Sequence, residues 1–288
     1  MARQPKLQLV ETLDAEPELH IAASARSPSA PEDTPPPAMD LSSRPRLWFV
    51  SGAGRTGKTM LLRYVAERSI NQGSTAILGC ADPVNRSLKS YFPDVAEPPG
   101  NDSASTAKWL EALIGHVLRE KISGMVDLGG GDTALHRLAS TIPDLLATID
   151  AGGVSPVAVY TLSTRTDDLA TVGTFERIGF QPAATALVLN CGMADPTVDR
   201  ETAFARVRRH SVYRAAIERG AVEVWMPWMD RSVAEAIENK GVSFTAARDA
   251  ISPPDRKVAP MGLFDRARVR LWLDAMAREL APIATWIP

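Results

Sequence analysis

The stretch Leu47-Trp48-Phe49-Val50-Ser51-Gly52-Ala53-Gly54-Arg55-Thr56-Gly57-Lys58-Thr59-Met60-Leu61-Leu62-Arg63-Tyr64-Val65 decides the fold. Its first four residues are an apolar run of the kind a buried strand makes, and its last six place apolar side chains at helical spacing. Between them, Gly52 to Thr59 fit G-x-x-x-x-G-K-[ST], a pattern that a chain of 288 residues would meet by chance roughly one time in a hundred. Strand, glycine turn and helix are the context in which that pattern cradles phosphate. The chemistry follows from the residue types. Glycines let successive backbone N–H groups turn toward phosphate oxygens, and the helix N-terminus adds the positive end of its dipole. The reading predicts that Lys58 reaches the β/γ-phosphates and that the Thr59 hydroxyl ligates Mg²⁺. Gly52, Gly54, Arg55, Thr56, Gly57 and Met60 complete the expected nucleotide contacts.

Working outward, apolar runs alternate with amphipathic ones. Strands are predicted at Thr75–Cys80, Ile122–Leu128, Val157–Leu162, Ala186–Asn190 and Val222–Met226, and helices at Trp109–Arg119, Leu135–Ile149 and Leu169–Ile178. Near-continuous apolar strands separated by helices describe an α/β fold, a mainly parallel sheet covered on both faces. Ligands on such sheets bind outside the carboxyl ends of the strands, where Lys58, Asp82, Asp127 and Asn190 all fall. Residues 1–45, rich in Pro, Ser and Ala, are expected to form a disordered arm, since they have little to bury against the entropy of ordering. The domain proper is expected over 46–251. Residues 252–288 follow a Pro253-Pro254 joint and are expected to add a helix from Leu263 to Leu280 with Phe264, Leu271, Ala275 and Met276 on one face.

Composition narrows the classes. A net charge of −2 argues against a uniformly basic nucleic-acid binder. Two cysteines and four scattered histidines offer no metal-site spacing, and no apolar run approaches a membrane span. With no secretion-signal pattern at the N-terminus, a cytoplasmic protein is expected.

Asp127 closes the third predicted strand and is followed by Gly129-Gly130-Gly131, a segment able to pass close to a γ-phosphate and shift when it leaves. A triphosphatase needs a carboxylate there for the Mg²⁺ shell. Asp82, followed by Pro83, comes directly after the second strand and is the candidate for positioning water.

These segments together resemble the ParA/MinD group of partition and cell-division-site ATPases, within the SIMIBI branch of P-loop proteins, over residues 46 to about 250. Gly54, Gly57, Lys58 and Thr59, then Asp82-Pro83, Asp127 with its glycines, Val188-Leu189-Asn190 and Trp225-Met226-Pro227 match the family's segments in order. The resemblance implies ATP and Mg²⁺ as cofactors, ATPase activity, adenine contacts from Asn190 and Pro227, and an ATP-dependent homodimer. It also implies action with a partner protein in plasmid partition, mobilisation or conjugative transfer. Alternatives are a membrane-positioning ATPase of the MinD kind and a metabolic kinase or synthetase of the same branch. Four departures stand out: Ala53 where the family has its signature lysine, Arg55 where it has a further glycine, Cys80 for an Asp and Val84 for a Gln. Arg55 can take the missing lysine's role, because guanidinium suits bidentate phosphate contact. Arg206, Arg208, Arg209 and Arg214, on a helical segment between 200 and 219, are the candidates for non-specific DNA contact.

Overall fold

The computed structural model describes residues 38–82, 87–129, 133–252 and 258–288. In chain order the elements are β1 (Arg46–Ser51), α1 (Lys58–Asn71), β2 (Ala76–Cys80), α2 (Ser103–Glu120), β3 (Ser123–Asp127), α3 (Thr133–Thr141) and α4 (Leu145–Ala151). There follow β4 (Ser155–Leu162), α5 (Leu169–Arg177), β5 (Ala184–Asn190), α6 (Arg200–Arg209), α7 (Ser211–Glu218) and β6 (Val222–Met226). The chain closes with α8 (Arg231–Lys240), α9 (Phe244–Asp249) and α10 (Leu263–Glu279).

The six strands form one sheet in the order β2-β3-β1-β4-β5-β6, with every pairing parallel. Side chains alternate across a strand, so β1 feeds two cores at once. Trp48 and Val50 enter one apolar layer with α1, α8, α9 and α10, while Leu47 and Phe49 enter the other with α2 to α7. Because both faces are covered, the strand carries no polar alternation, which is why its sequence is a plain apolar run. After β1 the chain builds β2 and β3 on one side and then crosses to β4 on the other. The reversal beside β1 leaves a crevice at the carboxyl ends of the strands.

Several expectations change in detail. The predicted helix over 135–149 is two helices, broken at Ile142-Pro143, where proline supplies no N–H to continue the ladder. The segment 200–219 also divides, at His210, whose extended backbone (ψ 141°) ends α6 while its Nδ1 accepts from Val212 N and caps α7. The arm expected to run to residue 45 is tied down from Met39 onward. Leu41 is buried, and Met39 O accepts from Trp286 Nε1 at 2.6 Å. Residues 1–37 lie outside the described residues. The single face predicted for the last helix is split: Phe264 (76% exposed) and Leu271 (69%) point outward, Ala275 is half-buried, and Met276 packs inward with Val269 and Trp272. At about 100° per residue Met276 lies well round the helix from Phe264 and Leu271 and beside Val269 and Trp272.

Candidate functional site

The glycine loop joins β1 to α1 at the crevice. Its closing residue, Gly57, has φ 96°, in the left-handed region, and a Cβ there would lie 2.4 Å from Asn190 Nδ2 and 2.6 Å from Met226 Cε. Only glycine fits both the backbone and the space. At the other end, a Cβ on Gly52 would lie 2.5 Å from Thr161 Oγ1. Arg55 also sits in the left-handed region at φ 68°, exposed at the tip. That conformation costs a side chain about 1–2 kcal/mol and accounts for the glycine that the resemblance expects there.

The loop is braced from behind by two strand ends. Thr56 Oγ1 donates to Ala53 O at 2.8 Å and meets Thr161 Oγ1, at the end of β4, at 2.7 Å. Thr56 O accepts from Asn190 Nδ2 at 2.9 Å, and Asn190 Oδ1 accepts from Gly192 N at 2.9 Å. Asn190, expected to meet adenine, therefore already holds the phosphate loop and its own following turn. Each of its amide groups keeps one further hydrogen-bonding site. Thr161 escaped the sequence reading. Its signal was a hydroxyl-bearing residue at the end of an otherwise apolar strand adjoining the loop strand. Lys58 lies buried across the loop and donates to Gly52 O at 3.0 Å and Ala53 O at 3.3 Å. Those carbonyls hold the ammonium over the turn that a phosphate would enter.

On the other side of β1, Asp127 is opposite Val50 and Cys80 in register. It is 2% exposed, and burial pushes its carboxyl up to about 7, with Lys58 pulling it down and Asp82 pushing it up. Its Oδ1 is buried with no hydrogen-bond partner among the described residues. Buried carboxylate oxygens are normally satisfied, so an orphaned one at the mouth of a phosphate loop fits a cation or its water shell. With Thr59 at the start of α1, the donor set is hard oxygen, as Mg²⁺ requires. Asp82 is half-buried, with its Cγ 3.5 Å from the position of a Cβ on Gly129, so the two loop ends that carry Asp82 and Asp127 run side by side. Cys80, where the resemblance expects a carboxylate, is a buried neutral thiol pushed up to about 12 by burial and then by Asp127. Pro83, Val84, Gly130 and Gly131 lie outside the described residues.

On the far side, Pro227 follows β6, whose Met226 is opposite Asn190 in register. Its carbonyl accepts from Trp272 Nε1 at 3.0 Å. The basic segment is less uniform than its sequence. Arg208 is held by Glu223 at 2.9 Å and by Glu201, and Arg214 pairs with Glu218 at 3.6 Å. Arg206 and Arg209 are exposed, with no ion pair among the described residues.

The chain matches no protein-family model and no curated protein. Among solved structures it is similar to chloroplast FtsY from Physcomitrella patens, at 14% identity and TM-score 0.42, over 81% of this chain and 65% of that one. It is also similar to the signal recognition particle receptor FtsY from Elizabethkingia anophelis, at 15% identity and TM-score 0.41, over 64% of this chain and 59% of that one. The same receptor in complex with GDP gives 13% identity and TM-score 0.40, over 65% and 58%. The chain thus spans 58% to 65% of the length of these structures. At such identities the likeness reaches no further than the fold, which the sheet order and the loop give directly. That fold is the α/β architecture of P-loop nucleotide-binding proteins, with a six-stranded parallel sheet and a glycine loop between its central strand and first helix.

Proposed function

We propose that this protein is an ATP-binding, slowly ATP-hydrolysing switch of the ParA/MinD type. In this reading Lys58 and the loop amides hold the β/γ-phosphates, Thr59 and Asp127 hold the Mg²⁺ shell, and Asp82 orients the attacking water. The observation that carries it is the buried Asp127 carboxyl, with its Oδ1 unpartnered among the described residues, beside the strand that delivers Lys58 and Thr59. Bound Mg²⁺ would neutralise charge between the phosphates. The protein's own part is to fix the phosphates against Lys58 and to keep Asp127 dry enough to favour a cation over water.

Asp82 and Asp127 divide the work. A carboxylate on the metal acts in the ground state, whereas one on the water acts only in the transition state. Asp127→Ala is therefore expected to weaken Mg²⁺-dependent ATP binding, and Asp82→Ala to retain ATP while slowing turnover. Calorimetric titration of ATP with and without Mg²⁺, beside a phosphate-release assay, separates them; equal turnover in Asp82→Ala and the parent removes Asp82 from the reaction. Adenine is the base in this reading, with the second sites of the Asn190 amide and the backbone near Pro227 facing it, so GTP should compete poorly.

Arg55, exposed at the loop tip, substitutes for the lysine absent at Ala53 and reaches the nucleotide of a second copy across an ATP-dependent dimer. Sedimentation with a non-hydrolysable ATP analogue is expected to give a dimer that Arg55→Ala abolishes while monomeric binding survives. The setting proposed is plasmid partition, mobilisation or transfer, with a partner protein and with DNA contacted through Arg206 and Arg209.

A further inference from the structure

The inward face of α10 carries one residue that joins α1 to the segment after β6. Trp272 is 3% exposed. Its ring stands edge-on to Tyr64 of α1, the helix that begins with Lys58, at 5.8 Å between centroids. It packs on Phe244 of α9 at 4.9 Å, and Phe244 in turn lies under the Arg63 guanidinium at 4.5 Å. Its indole N–H donates to Pro227 O at 3.0 Å. The ring is thus locked to the phosphate-side helix, and its one polar atom is spent on the backbone that leaves β6.

We infer that Trp272 is a positioning residue for nucleobase recognition. It fixes the Pro227 segment at a set distance from α1, so that base and phosphates are read by a single rigid unit. This rests on the reading of the site as an ATP site with Pro227 on the base side. The physical reason is that Pro227 carries no N–H and so cannot anchor its segment as a donor. Its carbonyl, half-buried, is the available handle, and losing its donor leaves that segment without the bond that holds it. Indole serves both ends, supplying a large rigid ring for the α1 contact and one donor for the carbonyl. The last helix of the chain thereby enters nucleotide selection without touching nucleotide.

The test compares two ligands on the full chain. Mg²⁺-tripolyphosphate reads the phosphate cradle alone, and Mg²⁺-ATP reads cradle and base together. Trp272→Phe keeps the ring and removes the donor, and is expected to weaken ATP about fivefold while changing tripolyphosphate less than about twofold. Trp48→Phe is the control, because it likewise removes an indole-to-carbonyl bond, Trp48 Nε1 to Trp286 O at 2.6 Å, away from the Pro227 segment. That bond is the more buried of the two, so the control should lower the melting temperature at least as much and leave the ATP-to-tripolyphosphate ratio unchanged. Equal weakening of both ligands by Trp272→Phe, or of neither, overturns the inference. If the variant does not fold, the parent decides the matter through the ¹⁵N–¹H resonance of the Trp272 indole. A shift with ATP and none with tripolyphosphate supports the inference, and any other pattern overturns it. A parent that binds neither ligand instead overturns the nucleotide reading itself.

Discussion

The loop Gly52–Thr59 and the Pro227 segment both lie at the carboxyl edge of the sheet, yet the first closes mostly on itself, with Thr161 and Asn190 as its two remote braces, and the second is held from far along the chain. Within the loop, Lys58 bonds Gly52 O and Ala53 O, and Thr56 bonds Ala53 O, so most of its shape is closed over a few consecutive residues. Pro227 is held by Trp272, 45 residues further on, through a ring cluster drawn from α1, α9 and α10. Local closure preorganises charge for phosphate at small entropic cost. Remote closure makes the other border depend on the packing of the whole apolar layer. Disturbing the first should strike binding directly, and disturbing the second should act through stability and base selection.

The largest effect is expected at Lys58. Lys58→Ala removes a charge-assisted contact in a desolvated loop, so ATP affinity should fall by roughly 2–4 kcal/mol, about 30- to 1,000-fold, with little change in melting temperature. Calorimetry that finds unchanged affinity would remove the phosphate role and the comparison with it.

Next comes the remote cluster, where pH is the probe. Glu67, on α1, accepts from Phe244 N at 2.7 Å, and burial raises its carboxyl from 4.5 to about 7, against the lowering effect of Arg63. Between those values the folded protein holds a proton that the unfolded chain has released. Stability should therefore decline as pH rises through that window, with a slope of at most about 1.4 kcal/mol per pH unit from this group. Glu67→Gln keeps an acceptor for Phe244 N and should flatten that decline in urea midpoints measured from pH 4.5 to 7.5. Parallel curves for variant and parent would show that the cluster does not carry the pH dependence.

A smaller effect sharpens the loop side, at one of its two long-range braces. Thr161→Val keeps the β-branched shape at the end of β4 and removes the hydroxyl that meets Thr56 Oγ1 at 2.7 Å. Tripolyphosphate and ATP should weaken alike, by about 1 kcal/mol or fivefold, because only the cradle is loosened. A loss confined to ATP would move Thr161 to the base side. The smallest effects belong to the basic segment. Arg206→Ala or Arg209→Ala should each reduce the salt slope of DNA binding by about one, while Arg208→Ala should not, since Glu201 and Glu223 already engage that guanidinium. Identical slopes for the three variants would contradict this division.

Legibility followed the range of the interactions. Strand identities survived almost intact, since residues such as Leu47–Val50 or Val222–Met226 owe their conformation to apolar runs that periodicity detects. Helix breaks were partly readable: Pro143 announces one, whereas the break at His210 depends on a side-chain cap that composition does not signal. The face of α10 was misread in part, because Phe264 and Leu271 make one apolar row and Val269, Trp272 and Met276 another, and Met276 was joined to the first. Only the neighbouring helices choose between them.

By itself, then, the sequence determined the phosphate loop, the parallel α/β layout and the strand-end positions of Asp82, Asp127 and Asn190. Each of these depends on backbone geometry or on alternation over a few residues. Tertiary structure alone decided that Asp127 is buried with an unsatisfied oxygen, that Asn190 and Thr161 converge on Thr56, and that Arg208 is neutralised by Glu201 and Glu223. It also decided that Trp272 reaches Pro227. Those facts depend on which distant segments the two apolar layers bring together. A side chain's partner, its burial and hence its charge state are properties of that packing, and not of its neighbours along the chain.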